Sequence, residues 1–108
     1  ALRRGHDVNV FAYEGAVQLA FARQRAHANA VHGRDAEAEA DPLPREWIAD
    51  LFNTAGATGA RLDWVNCGLC VDERGAEESI GGPRRGGPPD FLRFVETSDN
   101  TLVIPTRD

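Results

Sequence analysis

The stretch Arg61–Gly75, RLDWVNCGLCVDERG, decides how this chain is read. Its first six residues, Arg61 to Asn66, place Leu62, Trp64 and Val65 in a short run bounded by polar residues, which suits a half-buried strand. Cys67 ends that run and Cys70 follows at C-x-x-C spacing, so both cysteines of the chain lie within four residues. In an open α/β sheet, the carboxyl end of a strand feeding a helix is where small ligands and reactive groups sit. A thiol placed there faces backbone N–H groups and the positive end of a helix, both of which favour thiolate over thiol. Gly68 leaves room for the backbone to turn, and Arg74, about two helical turns on, is a candidate partner for negative charge. The functional reading is a nucleophilic, sulfur-handling Cys67. The plainer alternative is two small buried hydrophobes under a loop, because free cysteine is often a core residue.

Working outward, the remaining segments read as the mounting of that edge. Asp7 to Tyr13, DVNVFAY, alternates Val8, Val10 and Ala12 with Asn9, Phe11 and Tyr13, the pattern of a strand buried on both faces. Glu14-Gly15 ends it at the same kind of edge. Ala16 to about Ala30 has helical composition, with Val17, Ala20 and Phe21 on one side. Gly33 to Pro44 is acidic and bracketed by Gly and Pro, hence a surface loop. Arg45 to about Ala57 carries Trp47, Ile48, Leu51, Phe52 and Ala55 at helical spacing. A short helix is expected over Val71 to Ile80. Gly81–Pro89, GGPRRGGPP, reads as a loop. Asp90 is a fair N-cap for a helix over Phe91 to Thr97, and Thr101–Pro105, TLVIP, reads as a last short strand. The order βααβααβ implies a mostly parallel sheet with helices on both faces. Ala1–Gly5 looks like the tail of a helix, with Arg3 and Arg4 at its negative end and Gly5 as its stop. The expectation is a fragment, with a strand and most of a helix ahead of Ala1.

Composition bounds the function. With 108 residues the chain is one domain, residues 1–108, and its 42% hydrophobic and 27% charged content is that of an ordinary globular protein. No apolar run approaches the ~20 residues that cross a bilayer. All twelve basic residues are arginine and the net charge is −5, which argues against direct nucleic-acid binding. Two cysteines make no disulfide framework, and a lone C-x-x-C fits redox or sulfur chemistry in a cytoplasmic setting.

Other chemistries are weaker. A zinc site would need Cys67 and Cys70 with His27 and His32, yet the histidines precede the cysteines by 35 residues, a poor spacing for a compact finger. No metal and no cofactor are expected. A thioredoxin-like dithiol fits the strand-to-helix position, although Asp72-Glu73 would raise a nearby thiol pKa if pointed at it. Gly81-Gly82 and Gly86-Gly87 lack the lysine and spacing of a phosphate loop.

Taken together, the chain resembles the DsrE/TusD-like family of sulfur-relay proteins. The resemblance rests on Gly5-His6 followed by the strand through Tyr13-Glu14-Gly15, and on Cys67 with Arg74-Gly75 seven and eight residues later. The final helix and short strand, Phe91 to Pro105, complete it. Such membership implies a flavodoxin-like three-layer α/β/α fold, assembly into homo- or hetero-oligomers (trimers or hexamers), and a cysteine that carries a persulfide from a protein donor to a protein acceptor. On that reading Cys67 is the persulfide carrier and Arg74 the support for the anion, while Cys70, which has no counterpart in the family pattern, is either a resolving thiol or a neighbour that discharges the persulfide as a disulfide. The alternatives are a non-catalytic subunit of such an oligomer and a C-x-x-C dithiol oxidoreductase.

Overall fold

Leu62–Cys67 forms the middle strand of a three-stranded parallel sheet, and its burial rises along its length until Trp64 to Cys67 are all buried. In the computed structural model, which describes residues 1–24, 43–75 and 78–105, this strand is β2. Strand β1, Val8–Ala12, pairs with it in register from Val8 against Leu62 to Ala12 against Asn66. Strand β3, Arg84–Gly86, lies on its other side, with Val65 opposite Arg84 and Cys67 opposite Gly86. Among the described residues three α-helices join the strands: α1, Pro44–Thr58, between β1 and β2; α2, Gly68–Glu73, between β2 and β3; and α3, Pro88–Thr97, after β3. The chain is therefore α/β with a parallel sheet, as its alternating pattern predicts.

Helix α1 follows from its sequence almost residue for residue. Pro44 takes the first turn, where a missing N–H costs nothing, and the Glu46 carboxylate accepts the Leu43 N–H at 3.0 Å. Gly59, at φ 73°, ends it. Its Ile48 packs in one cluster with Ala12, Val17, Ala20, Phe21, Trp64 and Cys67. Helix α3 lies against the side of β1 that carries Asn9 and Phe11: Asn9 donates to the Ser98 hydroxyl at 3.3 Å, and the Phe11 and Phe91 rings meet edge to face at 5.5 Å.

Four expectations are corrected. The helix placed at Ala16 to Ala30 is a 3₁₀ segment, Glu14–Ala20, after which Phe21 is extended. Phe21 forms an antiparallel bridge with Ser79, the Ala22 N–H reaches the Glu78 carbonyl at 2.7 Å, and the Ile80 N–H reaches the Ala20 carbonyl at 2.9 Å. Those bonds replace the next helical turn; residues 25–30 lie outside the described residues, as do 31–42 of the acidic loop. The helix placed at Val71 to Ile80 instead begins directly on Cys67 and ends at Glu73, because Ser79 and Ile80 serve the bridge. GGPRRGGPP is not all loop, since Arg84–Gly86 is a strand held by β2. Thr101–Pro105 is exposed and belongs to no strand. Smaller shifts occur elsewhere. Asp90 sits inside α3 and accepts the Gly87 N–H at 3.0 Å, so Gly87 takes the cap position. Ala1–Gly5 is a single 3₁₀ turn, Leu2–Arg4, closed by Gly5 at φ 80°.

Candidate functional site

All three strands run parallel, so their carboxyl ends share one edge: Ala12 with Tyr13 and Glu14, Cys67 with Gly68, and Gly86 with Gly87. Both thiols are on this edge. Cys67 is the last residue of β2 and caps α2, only 8% exposed; Cys70, one turn into α2, is half-buried. Both are free thiols, and Cys67 is a near neighbour that acts on the Cys70 thiol.

The third contributor comes from β1. Glu14 is the only non-glycine among the described residues with positive φ, 51°. That unfavourable backbone conformation brings its N–H to the Cys70 sulfur, where it favours the thiolate. Burial outweighs it, and with the neighbouring Cys67 sulfur and the Glu73 charge it pushes the Cys70 thiol above its ordinary value. Cys70 is consequently a proton-bearing thiol at neutral pH. The acidic pair after Cys70 acts as the sequence suggests through Glu73 alone, because Asp72 points elsewhere.

Asp72 holds Arg85 of β3 in a two-pronged ion pair, at 2.9 and 2.7 Å. The pairing lowers the Asp72 pKa and raises that of Arg85, to which the Cys67 charge adds a further favourable interaction. The guanidinium passes so close over the β2–α2 turn that a Cβ on Gly68 would lie 2.7 Å from Arg85 Nε. Glycine here lets the Arg85 side chain lie close over the turn. Arg85 is thus a cation at the thiol edge that no local motif marks. Its own strand has the composition of a loop, and its 18-residue separation from Cys67 is bridged by β2–β3 pairing. The available signal was an Arg-Arg pair framed by glycines, GGPRRGG.

Arg74, the sequence candidate for that role, lies just past α2 with its guanidinium 3.7 Å from the Glu73 carboxylate. Helix α2 has only six residues, so the dipole support expected for the thiolate is small. Among the described residues, no group of three or more His, Cys, Asp or Glu could hold a metal ion; His27 and His32 lie outside them. No helix of the described residues is long and apolar enough to cross a membrane.

Chemically, the edge offers two neighbouring thiols, one beside a fixed cation and the other kept protonated. A sulfur anion formed at Cys67 has a positive neighbour, and Cys70 has a proton to give and a sulfur to attack with. No family model, curated protein or solved structure matches the chain.

Proposed function

We propose that this chain is a sulfur carrier of DsrE-like type, which bears a persulfide on Cys67 and passes it to a protein acceptor. The observation that carries the reading is the pairing of neighbouring Cys67 and Cys70 thiols at the carboxyl edge of the sheet, with Arg85 beside Cys67. Loading is a thiol–persulfide exchange. The Cys67 thiolate attacks the outer sulfur of a donor persulfide, R–S–SH, giving Cys67–S–SH and the donor thiolate R–S⁻. Transfer repeats the step with an acceptor thiolate as nucleophile, and Cys67 leaves as thiolate. Without an acceptor, Cys70 attacks the Cys67 sulfur, HS⁻ departs, and a Cys67–Cys70 disulfide remains. The raised Cys70 pKa slows that discharge, because the thiol must first lose its proton.

The same reading includes a flavodoxin-like three-layer arrangement, a cytoplasmic setting, and an oligomer that meets a protein donor and a protein acceptor. Arg85 takes the anion-supporting role that the resemblance gave to Arg74. A second reading, dithiol oxidoreductase, is favoured by the same pairing of neighbouring thiols, one at the N-cap and one in the first turn of α2.

Whole-protein mass spectrometry after incubation with glutathione persulfide tests these readings. Followed over time, the carrier first gains one sulfur atom, mapped to Cys67, and reaches the Cys67–Cys70 disulfide only afterwards, as Cys70 discharges it. The oxidoreductase loses two hydrogens with no stage at which Cys67 carries an added sulfur. An unchanged mass in the folded protein contradicts both and leaves a structural subunit.

A further inference from the structure

Away from the thiols, β1 forms an edge of the sheet; among the described residues it pairs with β2 alone. A cavity of about 540 Å³ lies against this strand. Successive β1 residues from Val8 to Tyr13 all line it, although alternate side chains point to opposite faces. A cavity reached from both faces of a strand is a slot along that strand's edge. Trp64, Phe91, Phe94 and Val95 form its apolar walls, and among the described residues no carboxylate or guanidinium lines it.

The rim of the same slot is Thr101–Ile104. This segment has the composition of a strand, yet Leu102, Val103 and Ile104 are 83%, 58% and 70% exposed and pair with nothing in the sheet. One chain therefore carries both an open apolar edge and an unpaired apolar strand-like segment. A small apolar ligand could fill the walls but would leave the outward ladder of β1 unbonded; an extended segment satisfies both.

We propose that Thr101–Pro105 of one copy adds as a strand to the β1 edge of a second copy, in a reciprocal exchange. Topology permits the pairing. Helix α3 ends beside β1, where Ser98 accepts from Asn9, and a strand after α3 on the far side of β1 runs parallel to it. That crossover moves opposite to β1–α1–β2 and over the opposite face, so it has the same hand. The connection is short, Ser98 to Asn100, and short hinges favour exchange between copies over closure within one. The two halves of the contact are on every chain, so a two-fold pair satisfies both at once.

Light scattering after size exclusion, paired with hydrogen exchange, tests this on the chain itself. The expected wild-type assembly contains an even number of chains, with Val8–Ala12 amides protected. The L102D/I104D variant changes two side chains exposed in the single chain, so it should keep its circular dichroism while dispersing to monomers and losing that protection. Leu92→Asp, on an exposed position of α3 outside the slot, should leave the assembly unchanged. A monomeric wild type overturns the proposal: protected β1 amides would then mean closure within one chain, and unprotected ones an open edge. An assembly that survives L102D/I104D, or one that Leu92→Asp also disperses, overturns it equally.

Discussion

Strand β3 meets solvent with Arg84 and Arg85, whereas β1 borders an apolar slot lined, among the described residues, by no ionised side chain. The first edge is short and wired by charge. Arg84 grips Asp63 with two bonds of 3.0 Å and reaches Asp90 at 3.4 Å, while Arg93 approaches both carboxylates and Arg85 holds Asp72. Charged side chains on a brief edge strand discourage pairing with another chain. The second edge has five residues, Val8–Ala12, apolar apart from Asn9, and carries no charged side chain of its own. The contrast separates two uses of a sheet edge: one closed by ion pairs so that Arg85 can serve the thiols, the other left open to a further strand.

The largest effect should come from the residue that serves both edges. Trp64 is buried on β2, packs in the cluster with Cys67, and lines the β1 slot. Trp64→Ala should cost about 3–5 kcal/mol, lowering the urea midpoint and loosening β1 and β3 together. Loss of protection at one edge alone would show that the edges are independent.

Next is the charged edge itself. A Cβ at Gly86 would run into the Asp90 carboxylate and lie 2.5 Å from Val65 Cγ1. Val65 is fully buried and cannot retreat. Gly86→Ala should therefore destabilise by about 1–3 kcal/mol and displace β3, and with it Arg85. Thiol reactivity should fall in the same variant. An unaltered melting temperature would mean that β3 adapts freely.

Smaller still is Arg84→Ala. Its guanidinium is 45% exposed, so the loss should be about 0.2–1 kcal/mol, as for other surface pairs. Raising salt to about 1 M should shrink it further, since screening then acts over ~3 Å. The slot should be indifferent to salt. Equal salt sensitivity at both edges would erase the distinction drawn above.

The pH profile sharpens the same contrast. Arg85 depresses Asp72; the Gly87 N–H, then Arg84 and Arg93, depress Asp90. Folded values below the unfolded ones mean a contribution that is present above the ordinary carboxylate pKa and lost as pH falls through the depressed values. Cys70 has the opposite sign: its raised value gives a contribution that is complete below the ordinary thiol pKa and lost as pH rises through the folded value. Amide exchange across pH should show β3 weakening in acid while β1 holds.

Much of this architecture was legible because burial leaves a period. β1, α1 and β2 alternate or repeat as their environments demand, and each was placed within a residue or two. β3 carried no such period: Arg-Arg-Gly has no apolar side, and only its ladder to β2 makes it a strand. TLVIP erred the other way, with the composition of a strand and no edge within the sheet pairing with it. At the site, Cys67 and Cys70 were legible from C-x-x-C after an apolar run. Arg85 and the Glu14 N–H were not, since both reach the thiols across strand pairings that no local window contains.

The most direct test of the thiol site is peptide mapping of sulfur after glutathione persulfide treatment of the Cys67→Ser and Cys70→Ser variants. The account predicts that Cys70→Ser still acquires one sulfur on Cys67 and holds it, because the discharging thiol is gone, while Cys67→Ser acquires none. Loading on Cys70 in the Cys67→Ser protein, with none on Cys67 in the Cys70→Ser protein, would contradict it.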